Sequence, residues 1–247
     1  MNAWEMTTFV LFPHQQGAAM APDMPGMDMG AMAMAPGQTT WGLATWALMI
    51  AMWWIMMIAM MAPSATPAIL LYALVHRHAL SQGQVPDKLA PTGAFAAGYI
   101  VVWLGFSVAA AALHWTLERY GIVSAIMMGS QNRWFSAAVL IAAGLYQLSP
   151  LKNVCLSHCR APASFLSRHW RPNALGALRL GTMHGAYCVG CCWLLMLLLF
   201  VGGVMNLLWI AALAILVLVE KVLPPGRWVG RCAGAVLIGW GVATLIV

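Results

Sequence analysis

Trp41-Gly-Leu-Ala-Thr-Trp46-Ala-Leu-Met49-Ile-Ala-Met52-Trp53-Trp54-Ile-Met56-Met57-Ile-Ala-Met60-Met61 is a run of 21 residues without a formal charge. At ~1.5 Å per residue it makes a helix of ~32 Å, about the thickness of the hydrocarbon core of a bilayer. Lipid offers no partner for an unpaired backbone N–H or C=O, so such a run must be helical. The period-two alternation of an outer-membrane barrel strand is absent. Five further apolar stretches follow: Phe95–Leu117, Trp134–Leu151, Leu175–Phe200, Val204–Val222 and Trp228–Val247. Trp41, Trp115, Trp134 and Trp228 stand at span ends, as an aromatic belt would place them. The whole chain is 62% hydrophobic and only 7% charged, against about 45–50% and about 25% in soluble domains. A soluble globule and a disordered chain are both excluded. The expectation is an all-α polytopic transmembrane bundle of about six spans over residues 41–247. A flexible, Met-rich tail over residues 1–40 precedes it.

The basic residues orient the spans. Arg77, Lys88, Lys152, Arg160, Arg168, Arg171, Arg179, Lys221, Arg227 and Arg231 fall on one side, ten of the twelve in the chain. Only Arg119 and Arg133 fall on the other. The odd loops are therefore expected in the cytoplasm and both termini outside, in the periplasm if the membrane is a bacterial inner membrane. The net charge of +6 reads as an orientation signal, and no nucleic-acid partner is expected. Residues 1–19 lack the basic start and apolar core of a cleavable signal peptide and are expected to be retained. Pro63 and Pro67 interrupt the first run. Each removes a helix donor, and Ser64 and Thr66 stand ready to bond the freed carbonyls. Whether the chain bends there or continues as a helix toward Val75 is left open.

Sulfur and imidazole are unevenly spread. The tail carries Met20, Met24, Met27, Met29, Met32 and Met34 among Ala, Pro, Gly and Asp. Thioethers are soft ligands that suit Cu(I), and the small spacers give these Met residues no packing role; the competing reading is a low-complexity linker. Met49, Met52, Met56 and Met60 share one helical stripe, with Met57 and Met61 on its edge; ordinary packing competes with a ligand ladder. His184, Cys188 and Cys191 stand at i, i+4 and i+7 in the fourth span, with Cys192 one step round. Polar groups inside a span mark a site by default, while buried Cys as small apolar filler is the alternative. Gly181, Gly185 and Gly190 leave room for a neighbouring helix. Cys155, His158 and Cys159 form a metal clip or a thiol pair at the end of the third span. Glu220 is expected to pair with a nearby Lys or Arg, or to line the inner end. Counting inward at ~1.5 Å per residue places Met49 and Met52 ~12–16 Å deep, near the level of Cys192 at ~12 Å and Cys188 at ~18 Å. If the first and fourth spans are neighbours, soft ligands run from the tail to mid-membrane, and Cys155, His158 and Cys159 continue the series at the inner face.

Met60-Met61-Ala62-Pro63-Ser64, Cys155-x-x-His158-Cys159-Arg160, His184-Gly185-x-Tyr187-Cys188-x-Gly190-Cys191-Cys192-Trp193 and Glu220-Lys221 together resemble a bacterial family labelled "predicted metal-binding integral membrane protein", a domain of unknown function. The resemblance covers roughly residues 41–222. It implies metal binding at Cys155, His158, Cys159, His184, Cys188, Cys191 and Cys192, in a setting of copper handling, and it carries no reaction with it.

Three functions compete on the sequence. One is capture and handling of Cu(I), or of another transition metal, by an inner-membrane protein without catalytic activity of its own. The second is an accessory subunit of a larger membrane complex housing a copper or haem enzyme. The third is a membrane thiol oxidoreductase using the Cys188-x-x-Cys191 spacing. No Walker loop, dinucleotide fingerprint or paired-carboxylate site is present.

Overall fold

The computed structural model describes residues 41–83, 90–124, 128–161, 163, 166 and 173–246. The expected tail, with Met24, Met27 and Met29, lies outside the described residues. Among these the chain is helical: α1 Leu43–Ser81, α2 Ala90–Arg119, α3 Arg133–Leu148, α4 Pro150–Arg160, α5 Ala174–Leu197, α6 Leu199–Gly202, α7 Leu207–Val222 and α8 Gly226–Ile246. Extended pairing is limited to one antiparallel bridge between Val123 and Ser130.

The helix starts are written in the local sequence. Asn132 accepts from the backbone N–H groups of Trp134 (2.9 Å) and Phe135 (3.2 Å). Asn173 accepts from Gly176 at 2.8 Å and Asn206 from Trp209 at 3.1 Å. Each satisfies a donor that the first helical turn leaves unpaired. Ser149 caps α4 by accepting from Leu151 at 3.1 Å, with Pro150 in its first turn, where a missing N–H costs nothing. That Ser-Pro pair bends α4 by 64° away from α3. Gly203, at φ +87°, ends α6 in a conformation that disfavours any other residue.

Four helical stretches are long and apolar enough to cross a membrane: Leu43–Ser81, Thr92–Arg119, Ala174–Gly202 and Gly226–Ile246. The bent α3–α4 pair makes a fifth if it counts as one broken span. The expected sixth crossing differs. Its helix α7 has 16 residues, or ~24 Å, less than the ~30 Å hydrocarbon core.

The open question at Pro63 and Pro67 has a clear answer, since α1 runs through both as one helix of 39 residues. The Ser64 hydroxyl donates to the Met61 carbonyl (2.9 Å) and the Thr66 hydroxyl to that of Ala62 (2.8 Å). These are neighbours of the carbonyls the prolines free, those of Ala59 and Pro63, and not those carbonyls themselves. At ~58 Å, α1 is nearly twice the bilayer core. Its second half is not idle. Tyr72 stacks on Phe95 of α2 at 4.9 Å between centroids, in a small cluster with Leu166, Ala177 and Leu180.

The bundle is built around α2 and α5, which cross in close contact. A Cβ on Gly181 would overlap the Phe95 carbonyl oxygen, and one on Gly98 would overlap that of Leu178. Only glycine allows backbones to meet this way. Helix α1 lies along α2 and α7, and α3 along α8. Long side chains from α1 and α5 fill the space that α1, α2, α5 and α7 enclose.

Candidate metal centre

The centre grows from one turn of α5. Cys188, Cys191 and Cys192 are all buried, on the inward face that their spacing predicts. The thiols of Cys191 and Cys192 both donate to the Cys188 carbonyl, at 3.1 and 2.9 Å, a back-bond that holds short polar side chains against their own helix. The Cys188 sulfur is held from two other helices. The Lys221 ammonium of α7 lies 2.9 Å from it, and the Tyr99 hydroxyl of α2 lies 3.1 Å from it. Helix α1 contributes Met61, whose sulfur is 4.0 Å from the Cys192 sulfur and 3.9 Å from the Lys221 nitrogen. Ser64 stands 3.4 Å from the same nitrogen. No carboxylate among the described residues lies within salt-bridge reach of Lys221.

Helix α4 closes the remaining side. Cys159, on α4, faces Cys191 closely enough for the two thiols to interact. The Cys155 sulfur lies beside Gly190, where an added Cβ would come within 3.2 Å of it. Tyr146 donates to the Gly190 carbonyl. The two Cys motifs therefore meet at one level, and the expected continuation of Cys155 and Cys159 toward an inner face is corrected. The Ser149-Pro150 bend turns α4 back onto α5. His158 points elsewhere: its ring stacks on Tyr187 at 4.2 Å, and its Nδ1 lies 2.9 Å from the Val154 carbonyl oxygen.

His184 is buried one turn from Cys188, its ring 6.0 Å from those of both Phe95 and Tyr99. Met60 is buried, while Met49, Met52 and Met56 are partly buried against the core. The Met that reaches the thiols is Met61, and the stripe that faces inward is Trp53, Met57, Met61, Ala65 and Ala68. The expected level matching also shifts. Trp53 meets Phe200 of α6 at 5.0 Å between centroids, ~15 Å below the start of α1. Cys192 accordingly lies level with Met61 and not with Met49 or Met52.

Sequence reasoning gave no site role to Lys221, Tyr99 or Ser64 and set Met61 only on the edge of the Met stripe. Lys221 and Lys152 had been placed in loops for orientation, yet both are buried. Lys152 pairs with Glu220 at 2.5 Å, which is the partnership expected for Glu220. Gly181, Gly185 and Gly190 do receive close neighbours: Phe95, Val102 with Tyr99, and Cys155.

Among the described residues no group of three or more His, Cys, Asp or Glu side chains is arranged to hold a metal ion. The local reason is visible: Cys191 and Cys192 are turned onto a carbonyl, and Cys188 onto an ammonium. Thioethers and paired thiols stand outside that count, and they are the donors a soft ion selects.

These features define a class: an apolar helical bundle with a buried centre of thiols, a thioether and an ammonium that no described carboxylate pairs. A family model described as a copper chaperone (PpoB2) matches residues 50–244, and the chain belongs to that family. The match runs from α1 into α8 and takes in every residue of the centre. Neither the search of curated proteins nor that of solved structures found a match. The family description accords with the metal-related resemblance and points it to copper.

Proposed function

We propose that the protein is an inner-membrane carrier of Cu(I), which it receives on thiols and a thioether and passes on by ligand exchange. One observation carries this reading: Met61, Cys188 and Cys192 meet beside Lys221, brought from three helices into a site shut off from solvent. Copper is the cargo. Cys188 and Cys192, joined by Cys191 and Cys159, are the thiol donors; Met61 is the neutral donor; His184 stands one turn beyond. A Cu(I) ion between two thiolates carries net negative charge, which is costly in a low-dielectric interior unless paired. The Lys221 ammonium supplies the balancing charge. Binding would release the thiol protons, and soft neutral donors such as Met exchange Cu(I) without that cost.

In the same proposal all six apolar segments cross the membrane, with the termini in the periplasm. Met24, Met27 and Met29 of the tail collect the ion, and Met49, Met52, Met56 and Met60 flank its route. The recipient is a copper-dependent membrane enzyme or another subunit beside it. The test is copper content after purification under reducing conditions. Wild-type protein is expected to retain near-stoichiometric copper, and the Cys188→Ala/Cys191→Ala/Cys192→Ala variant to lose it. Unchanged copper in that variant would overturn the proposal.

A further inference from the structure

His114 of α2 has no solvent exposure, and neither of its ring nitrogens has a hydrogen-bond partner among the described residues. A buried imidazole left wholly unpaired is expensive and calls for an explanation. Its walls are aromatic: Trp41 at 5.8 Å, Trp53 at 6.4 Å and Phe200 at 5.7 Å between ring centroids. Such rings favour a cation near their faces. The carboxylate of Glu118, one turn further along α2, accepts from the Trp41 indole at 3.1 Å.

Two antiparallel stripes lead from this box to the thiols. On α1, Trp53, Met57 and Met61 follow one another at intervals of four. On the stretch Ala174–Gly202, Phe200, Met196 and Cys192 do the same in reverse. The stripes touch at one end through Trp53 and Phe200, 5.0 Å apart, and at the other through Met61 and Cys192, 4.0 Å apart. Residues four apart lie one above the other on a helix, so the register sets Met57 and Met196 at the same level between those contacts. Both are completely buried. On α2, Ala110 and Ala111 are small and buried one turn from His114.

Resting on the copper reading above, we propose that His114, Met57 and Met196 form a second Cu(I) site, on the Trp41 side of the thiol centre and weaker than it. An imidazole with a free lone pair and two thioethers make a neutral, soft donor set. It would hold a monovalent ion without releasing a thiol proton and yield it to Met61 and the thiolates beyond. Packing alone accounts for Met57 and Met196, since Met fills irregular gaps. It gives no account of a buried imidazole that no described residue hydrogen-bonds.

The test is a Cu(I) titration of the full chain in detergent under reducing conditions, against a competing Cu(I) chelator, with copper K-edge absorption on the loaded protein. Wild type is expected to fill in two phases. His114→Phe should remove the weaker phase, about one equivalent per chain, and its imidazole scattering, leaving the tight phase intact. Met57→Leu/Met196→Leu conserves volume and should do the same, which covers a folding defect in the first variant. The Cys188→Ala/Cys191→Ala/Cys192→Ala variant should show the converse loss. A weak phase and imidazole signal that survive both His114→Phe and the Met pair would overturn this second site while leaving the thiol centre standing. Wild-type protein that binds no copper would overturn both.

Discussion

Glu220 and Lys221 are neighbours on α7, about 100° apart around it, and they serve two different interiors. On the Glu220 side the carboxylate is matched. One carboxylate oxygen accepts from Gln147 at 2.6 Å and the other from Lys152 at 2.5 Å. Gly230 of α8 lies so close that a Cβ there would be 3.0 Å from the carboxylate. On the Lys221 side a full positive charge faces a thiol, a hydroxyl and a thioether, with no acid among the described residues. The first interior holds its cation and its anion together. The second has a cation whose balancing anion exists only if a thiol gives up its proton. Structure is secured on one side of the helix and ligand chemistry is kept available on the other.

The largest effect is expected where the matched charge pair is broken. Glu220→Ala strands the Lys152 ammonium in the interior and should cost about 3–5 kcal/mol, the penalty for removing one partner of a buried pair. Lys152→Met/Glu220→Leu should recover most of that loss, because the apolar replacement leaves no orphaned charge. Chemical or thermal unfolding in detergent measures both. A double variant as unstable as the single one would show that the pair itself, and not the avoidance of an unpaired charge, holds α4 to α7.

Next in size is the α2–α5 crossing that sets the thiols opposite Tyr99. Gly181→Ala forces a methyl group against the Phe95 carbonyl and should destabilise by about 1–3 kcal/mol. Gly190→Ala meets only the Cys155 sulfur at 3.2 Å, a side-chain atom able to give way, and should cost less. Equal costs would mean that α4 is docked on α5 as rigidly as α2 is.

The open side answers to a different measurement. Lys221→Met removes the cation but keeps an unbranched side chain of similar length, so the fold should change by less than about 1 kcal/mol. Cu(I) affinity should fall about tenfold, or about 1.4 kcal/mol, since the bound bis-thiolate would lose its balancing charge. Competition with a Cu(I) chelator reads this. Unaltered affinity would place the ion away from Cys188.

How much of this was legible in the sequence varied with the kind of signal. The helical class and the inward face His184-Cys188-Cys191-Cys192 follow from length, composition and a spacing local to one helix. The joining of Cys155 and Cys159 to that face depends on a 64° bend at Ser149-Pro150; the proline was readable, but the direction of the turn is a property of packing. Both Met60 and Met61 are buried, but Met61 is the one that reaches the thiols, because α1 sits between α2 and α7. The one available hint was that the Met49-Met52-Met56 stripe runs on into Pro63 and Pro67, both exposed, whereas the Met57-Met61 stripe runs on into Ala65 and Ala68. Lys221 looked like a loop cation, lying as it does between an apolar run and Pro224. A long apolar stem let it turn inward, and sequence periodicity has no term for that. His114 carried no motif at all.

The smallest expected effect concerns His158, which the sequence grouped with Cys155 and Cys159 as one clip. Cα–Cβ vectors of adjacent helical residues diverge by about 100°, so a clip formed by His158 and Cys159 would need α4 to present the edge between them to α5. Instead α4 turns Cys159 to Cys191, while the His158 ring lies flat on Tyr187, nearly parallel at 4°. Tyr187 is one step round α5 from Cys188, on the flank of the centre and not within it. His158→Phe preserves the stacked pair and should leave both unfolding and copper content as in wild type. His158→Ala should cost about 0.5–1.5 kcal/mol, the worth of an aromatic pair, again without loss of copper. Cys159→Ser, one residue on, should weaken copper retention with little change in stability. Copper loss in His158→Phe matching that in Cys159→Ser would mean that the imidazole leaves Tyr187 when the ion arrives. The boundary between the matched and the open interiors would then run through α4 instead of along α7.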